Sequence, residues 1–151
     1  MPIRCEIVSQ DRMVFEGDAD IVLAPGELGQ MGILPHHAPL LSTLRFGILT
    51  VRHQGGEENF AVAGGIIEVQ PDLITVLADA AENVREIDIS RAEAARRRAE
   101  EFLAQGPPPD TDAYLRMEAA LKRSTLRLEA ARRFGRTQPP LRISSQEPGA
   151  E

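Results

Sequence analysis

The stretch PGELGQMGILPHHAPLL, Pro25 to Leu41, holds three glycines, three prolines and two adjacent histidines between runs of β-forming residues. Punctuation that dense excludes a helix, and the apolar content is too high for a solvated linker. Glycine supplies backbone angles that other residues avoid. Pro35 and Pro39 each remove a backbone donor and fix φ, so they bracket a short rigid segment outside any strand ladder. Ile33, Leu34, Leu40 and Leu41 tie the segment into a core. The stretch predicts a shaped loop presented by a β scaffold, and such loops often carry binding.

The flanking sequence supplies that scaffold. Ile3 to Val8 alternates apolar and polar, the period of a half-buried strand. A turn at Ser9–Arg12 precedes a short strand at Met13–Phe15, broken at Gly17-Asp18, and Ala19–Ala24 makes a third. Phe46–His53 and Asn59–Ala63 flank the turn chemistry of Gln54-Gly55-Gly56-Glu57 and predict a hairpin. Gly64-Gly65 is a further break. Ile66–Val69 and Leu73–Leu77 around Pro71-Asp72 predict another hairpin. Short strands at this spacing argue for a sandwich or barrel with an aliphatic core, because the region has only Phe15, Phe46 and Phe60 as aromatics.

After a short exit segment from Ala78 to Glu82 the period changes. SRAEAARRRAEEFLAQ, from Ser90, predicts a helix of 16 residues, roughly 24 Å long, with Ser90 and Glu93 as a capping box. Ala92, Ala95, Ala99, Phe102 and Leu103 share one face. Gly106 and Pro107–Pro109 stop it. Asp110-Thr111-Asp112 offers the N-cap of a second helix, with Tyr114, Met117, Leu121, Leu128 and Ala131 as its stripe and Gly135 as its end. A short connection makes the pair an antiparallel hairpin. The expected architecture is thus β + α: an antiparallel β-sandwich over 1–84, a helical hairpin over 85–136 and a disordered tail over 137–151. Alanine-rich stripes bury little area, so the hairpin is expected to be weakly held and able to move.

Charge is spread unevenly. The net charge of −6 divides into −8 over residues 1–84 and +3 over 110–136, with the remainder near neutral. The acidic front half argues against a nucleic-acid partner for the basic second helix. A single cysteine, Cys5, excludes an internal disulfide and a cysteine metal cluster; its alternation with Ile3 and Ile7 predicts a buried strand position. No signal core or membrane-length apolar run is present, which predicts a cytosolic or peripheral protein.

GILPHHAPLLSTLRFGILTV resembles the signature of the epsilon subunit of the rotary F-type ATP synthase, through Gly32, Ile33, Leu34, Pro35, His37, Ala38, Pro39 and Leu40. Gly64-Gly65-Ile66-Ile67-Glu68-Val69 and Thr75-Val76-Leu77-Ala78-Asp79 are similar to two further patterns of that family. The resemblance implies a non-catalytic rotor subunit on the cytoplasmic face of the bacterial plasma membrane, peripheral through its complex. It implies as partners the gamma stalk, the membrane c ring, and the beta and alpha subunits of the catalytic head, and no nucleic acid. Gln30, Met31 and His37 would face the ring and stalk. Gln30 is neutral where the family often carries an acid, with Glu27 close by. Lys122, Arg123, Arg127, Arg132 and Arg133 would meet an acidic segment of a beta subunit and block hydrolysis.

The resemblance also implies a regulatory ATP site, with no cofactor required. Ile87, Asp88, Arg91 and Ala92 match the family's [IL]-D-x-x-R-A motif; Glu82, Arg123 and Arg127 stand at its further ATP-contacting places. Local physics leaves a simpler reading open, in which Asp88 caps a helix and Arg91 pairs with it at the surface. Arg123 and Arg127, four apart, share a helix face and suit phosphate through paired hydrogen bonds.

Enzyme readings are poorer. The chain lacks a P-loop, an HExxH pair and a nucleophile elbow. His36 and His37, adjacent in extended chain, point apart and chelate one metal poorly, so no metal site is expected. The alternative is a small cupin-like metal- or sugar-binding enzyme, which would need more ligands than His36, His37 and His53 provide.

Overall fold

The computed structural model describes residues 1–106 and 110–134. The expected tail over 137–151, the Pro107–Pro109 connection and the helix stop at Gly135 lie outside the described residues. Eight strands are followed by two helices: β1 (Ile3–Val8), β2 (Met13–Ala19), β3 (Ile21–Gly26), β4 (Gly29–Ile33), β5 (Leu40–His53), β6 (Gly56–Val69), β7 (Leu73–Ala78), β8 (Ala81–Asn83), α1 (Ile89–Ala104) and α2 (Thr111–Phe134). A 3-10 turn over Val84–Glu86 links β8 to α1.

The strands run in the order β2-β1-β7-β6-β5-β3-β4, with β8 also on β6. All pairs are antiparallel except β1 with β7. β5 and β6, 14 residues each, belong to both layers of the sandwich. The start of β5 and end of β6 join β7, β1 and β2, whereas their other halves carry β3, β4 and β8. The bend falls at Gly64 and Gly65, with φ of 82° and 132°. A Cβ on Gly65 would stand 2.3 Å from the Leu77 carbonyl oxygen, so both backbone angle and space demand glycine. The expected break is therefore a bend inside one continuous strand.

Between the layers Ile3, Cys5, Ile7, Val22, Leu49, Val51, Phe60, Ile67, Ile74 and Val76 are buried, and Phe15 packs on Phe60 with ring centroids 5.6 Å apart. Burial, then the Glu6 carboxylate, pushes the Cys5 thiol up to about 12.

Leu34 and Leu41, expected with Ile33 and Leu40 to tie Pro25–Leu41 into the core, are exposed, and of the four only Ile33 and half-buried Leu40 do so. Two further expectations need correction within the sandwich. Pro25–Leu41 is not one loop: β3 extends through Pro25 to Gly26 and turns at Glu27-Leu28 into β4, with Pro25 opposite Gln30 and Ala24 opposite Met31. Pro25 is tolerated because the β3–β5 register shifts between Leu23 and Gly26, so no ladder bond needs its missing N–H. Only Leu34–Pro39 remains irregular. There His37 N–H donates to the Leu34 carbonyl at 3.2 Å across Pro35 and His36. His36 has φ of 64°, the left-handed angle a type II turn requires after its proline. The second correction is that β2 runs unbroken through Gly17-Asp18, because pairing with β1 from Ile3↔Ala19 to Cys5↔Gly17 holds it in register. The exit segment also forms β8, by pairing with β6.

α1 spans 16 residues, as expected. Its N-cap is Asp88, whose Oδ1 accepts from the Arg91 N–H at 3.1 Å, rather than Ser90. Asp110 caps α2, its Oδ1 accepting from the N–H groups of Asp112 at 3.0 Å and Ala113 at 3.3 Å. The helices pack on each other, with Ala92 and Ala99 buried on α1 and Ser124, Ala130 and Ala131 on α2. Tyr114, Met117, Leu121 and Leu128 are only half-buried, because α2 shares its small-residue face between α1 and the sandwich.

Candidate functional site

The hairpin docks on the second layer of the sandwich. Ala61 from β6, Val84 from the 3-10 turn and Ala130 from α2 form a small buried cluster, flanked by Ile48, Ile87, Leu126 and Phe134. Beside it lies a cleft of about 40 Å³ between β6, β8 and α2. Its walls are Ala61, Ala63, Ala80 and Ala81, with Glu82 on one side and Arg123, Leu126 and Arg127 on the other. Glu82 is fixed by strand pairing opposite Ala61. Its Oε2, shielded from solvent, lies 2.8 Å from Arg127 Nε, but off the axis for a hydrogen bond, so the attraction is between charges.

Three of the expected ATP residues, Glu82, Arg123 and Arg127, are thus brought together. Arg123 and Arg127 stand one turn apart and Glu82 is the single acid lining the cleft. Asp88 and Arg91 do not line it. Asp88 spends a carboxylate oxygen on its cap, and the link to Arg91 runs through the backbone N–H. Arg91 is exposed and Ala92 is buried in the helix seam. Ile87 packs in the small cluster, its N–H donating to the Val84 carbonyl at 3.4 Å. The cleft has room for about one water, well below what a nucleotide fills. A far larger depression, about 900 Å³, lies along another face of the hairpin, between Glu93, Arg96, Arg97 and Glu100 of α1 and Leu128 and Arg132 of α2. Of the expected ATP residues only Ile87 lines it, and none of Glu82, Asp88, Arg91, Arg123 and Arg127 does, so its size does not make it the expected site.

The five basic residues expected to meet a beta subunit do not form one face. Lys122 sits over the Phe46 ring at 4.5 Å, Arg127 is held by Glu82, and Arg133 lies over Phe134 at 5.1 Å. Arg123 lines the cleft and Arg132 the larger depression.

At the β3–β4 end, Gln30 is exposed and Met31 is half-buried against the sandwich core. His37 is half-buried, with Nδ1 2.7 Å from the Ala38 carbonyl oxygen. Leu28, at the turn beside Gln30, is fully exposed and was not singled out by the sequence. Its signal was an apolar residue between the acidic Glu27 and Gly29 at a turn.

Among the described residues no group of three or more His, Cys, Asp and Glu side chains could hold a metal, and no helix is long and apolar enough to cross a membrane.

Residues 2–84 match the family described as ATP synthase, Delta/Epsilon chain, beta-sandwich domain, and residues 85–132 match its long alpha-helix domain. The chain belongs to the ATP synthase delta/epsilon chain family. It is similar to the ATP synthase epsilon chain of Moorella thermoacetica, 45% identical over 130 residues that cover 85% of this chain and 96% of that one. The epsilon chain of Xanthomonas campestris pv. campestris (strain B100) is 42% identical over 137 residues, 89% of this chain and 96% of the relative. A chain in the solved Euglena gracilis mitochondrial ATP synthase with its c-ring superposes with a TM-score of 0.69 at 26% identity, covering 86% of this chain and 81% of its own. Epsilon chains are non-catalytic subunits, and membership replaces the cupin-like alternative.

Proposed function

We propose that this epsilon-type chain is a central-stalk subunit of a proton-translocating ATP synthase, peripheral on the cytoplasmic face of the bacterial plasma membrane. The sandwich joins the gamma stalk to the c ring, with the β3–β4 turn, Gln30, Met31 and the His37 loop as the ring-facing end. The helical hairpin restrains ATP hydrolysis by leaving the sandwich and reaching the beta and alpha subunits. The observation that carries this reading is the seam between the two parts. Its buried residues are only Ala61, Val84 and Ala130, bordered by half-buried Ile48, Ile87, Leu126 and Phe134 and by the Glu82–Arg127 ion pair, so the docked arrangement and a released one can lie close in free energy. On release, Lys122 and Arg127 leave Phe46 and Glu82 and add their charges to an α2 that can meet an acidic surface.

ATP is a regulatory ligand in this reading, favouring the docked form. Arg123, without an ion-pair partner among the described residues, and Arg127 would take phosphate, and Asp88 and Arg91 would approach as α1 shifts. The test is reconstitution of the full-length chain with an ATP synthase lacking its epsilon subunit. Added chain should lower ATP hydrolysis; neutralising Lys122, Arg123, Arg127, Arg132 and Arg133 together should restore it. ATP titrated calorimetrically into the free chain should bind saturably, and Arg123→Ala with Arg127→Ala should abolish binding. Unchanged hydrolysis on adding the chain would overturn the brake, and ATP affinity retained in the double variant would overturn the site.

A further inference from the structure

We infer that the Glu82–Arg127 ion pair is the latch that holds the helical hairpin on the sandwich. It deepens the moving-hairpin reading above and rests on it. Each partner belongs rigidly to one side. Glu82 lies in β8, locked to β6 by the pairs Phe60↔Asn83, Ala61↔Glu82 and Val62↔Ala81. Arg127 lies in the body of α2, one turn before Ala130 and Ala131 in the buried seam. The pair joins β8 of the sandwich directly to α2, whereas the Arg12–Glu86 pair reaches only the 3-10 turn that leads into α1.

Its surroundings make the charge matter. Ala61, Ala63, Ala80 and Ala81 line the cleft and offer Arg127 no other acceptor side chain. The Glu82 side chain is 23% exposed and the Arg127 side chain 46%. The carboxylate is thus the more desolvated partner, with Oε2 cut off from water. The two partners are therefore not equivalent. Removing Arg127 strands a largely buried carboxylate, which regains water only when α2 lifts; removing the Glu82 charge leaves a guanidinium that already reaches solvent. The apolar part of the seam is small, with Ala61, Val84 and Ala130 as its buried residues and the larger side chains only half-buried, so the effect of the ion pair is readable.

The experiment is hydrogen exchange of the full-length chain, comparing α2 amides over 111–134 with those of the sandwich core over 60–69. The chains compared are the wild type, Glu82→Gln, Arg127→Gln, and the swapped pair Glu82→Arg with Arg127→Glu. Glu82→Gln should speed α2 exchange about two- to fivefold without touching the core. Arg127→Gln should speed it more, and the swap should recover much of the loss. Salt at about 0.5 M should speed exchange in the wild type and leave Glu82→Gln nearly unchanged. Glu100→Gln, which breaks the Arg96–Glu100 pair inside α1 at 3.3 Å, is the control and should leave the seam intact. If α2 exchanges faster than the core but equally in all variants, the latch is overturned and the moving hairpin stands. If α2 is as protected as the core in every variant and at both salt levels, the hairpin does not leave separately, and both fail.

Discussion

The sandwich and the hairpin are built from different materials. Across the sandwich, fully buried Ile, Val, Leu and Phe side chains interlock from both layers, and 14-residue strands thread the two together. In the hairpin, the buried positions are Ala92, Ala99, Ser124, Ala130 and Ala131. A buried large aliphatic side chain contributes about 1.5–3 kcal/mol, and an alanine only a fraction of that. The helices therefore form by propensity and capping and are positioned by a shallow seam. One part is a fixed body; the other can be repositioned at small cost.

That contrast can be broken most sharply at the sandwich bend. Gly65→Ala puts a Cβ against the Leu77 carbonyl at a φ of 132°. Strain and overpacking together should cost about 3 kcal/mol or more, read as a lowered denaturant midpoint of the whole chain. A loss below about 1 kcal/mol would mean that the bend is pliable.

Side-chain deletions give the next largest effect. Ile67→Ala, at a fully buried position, should cost about 2–5 kcal/mol. Leu128→Ala, half-buried on α2, should cost about 1 kcal/mol or less and raise exchange in the helices alone. Equal costs, measured by urea unfolding, would remove the distinction between the two parts.

A smaller effect isolates the hairpin's local supports. Asp88→Ala removes the acceptor of the Arg91 N–H and should cost about 1 kcal/mol, seen as fraying of the first turn of α1. Ser90→Ala should change almost nothing. The reverse order would restore Ser90 as the cap.

The smallest effect is silent at neutral pH. Cys5 ionises near its ordinary 9.0 when unfolded and at about 12 when folded. Between those values the unfolded state binds fewer protons, so stability falls as pH rises through that window and is unaffected below it. Cys5→Ser should flatten the alkaline limb of a stability–pH curve, and the native thiol should resist alkylation at pH 8 until the sandwich unfolds.

Local signals made much of this legible in the sequence. The period-2 pattern of Ile3, Cys5 and Ile7 marked β1, and the alanine stripe with its Gly106 stop marked α1. β4 was missed because Gly-Gln-Met-Gly has no strand propensity of its own; pairing with β3 makes it a strand. The Gly64-Gly65 break was misread for a related reason. Two glycines look like an interruption until the long-range ladder with β5 carries the chain through them. Within the candidate site, arginine spacing showed that Arg123 and Arg127 share a face, but not that Glu82 waits opposite.

The sequence by itself determined the two-part architecture, the family and the identity of the charged residues, because these rest on periodicity, motif and composition. Tertiary structure alone decided which charges meet. It set Glu82 against Arg127 and Lys122 against Phe46, and left Asp88 and Arg91 outside the cleft. Such pairings join elements tens of residues apart, and their geometry is fixed by sheet register and helix docking, which no local pattern encodes.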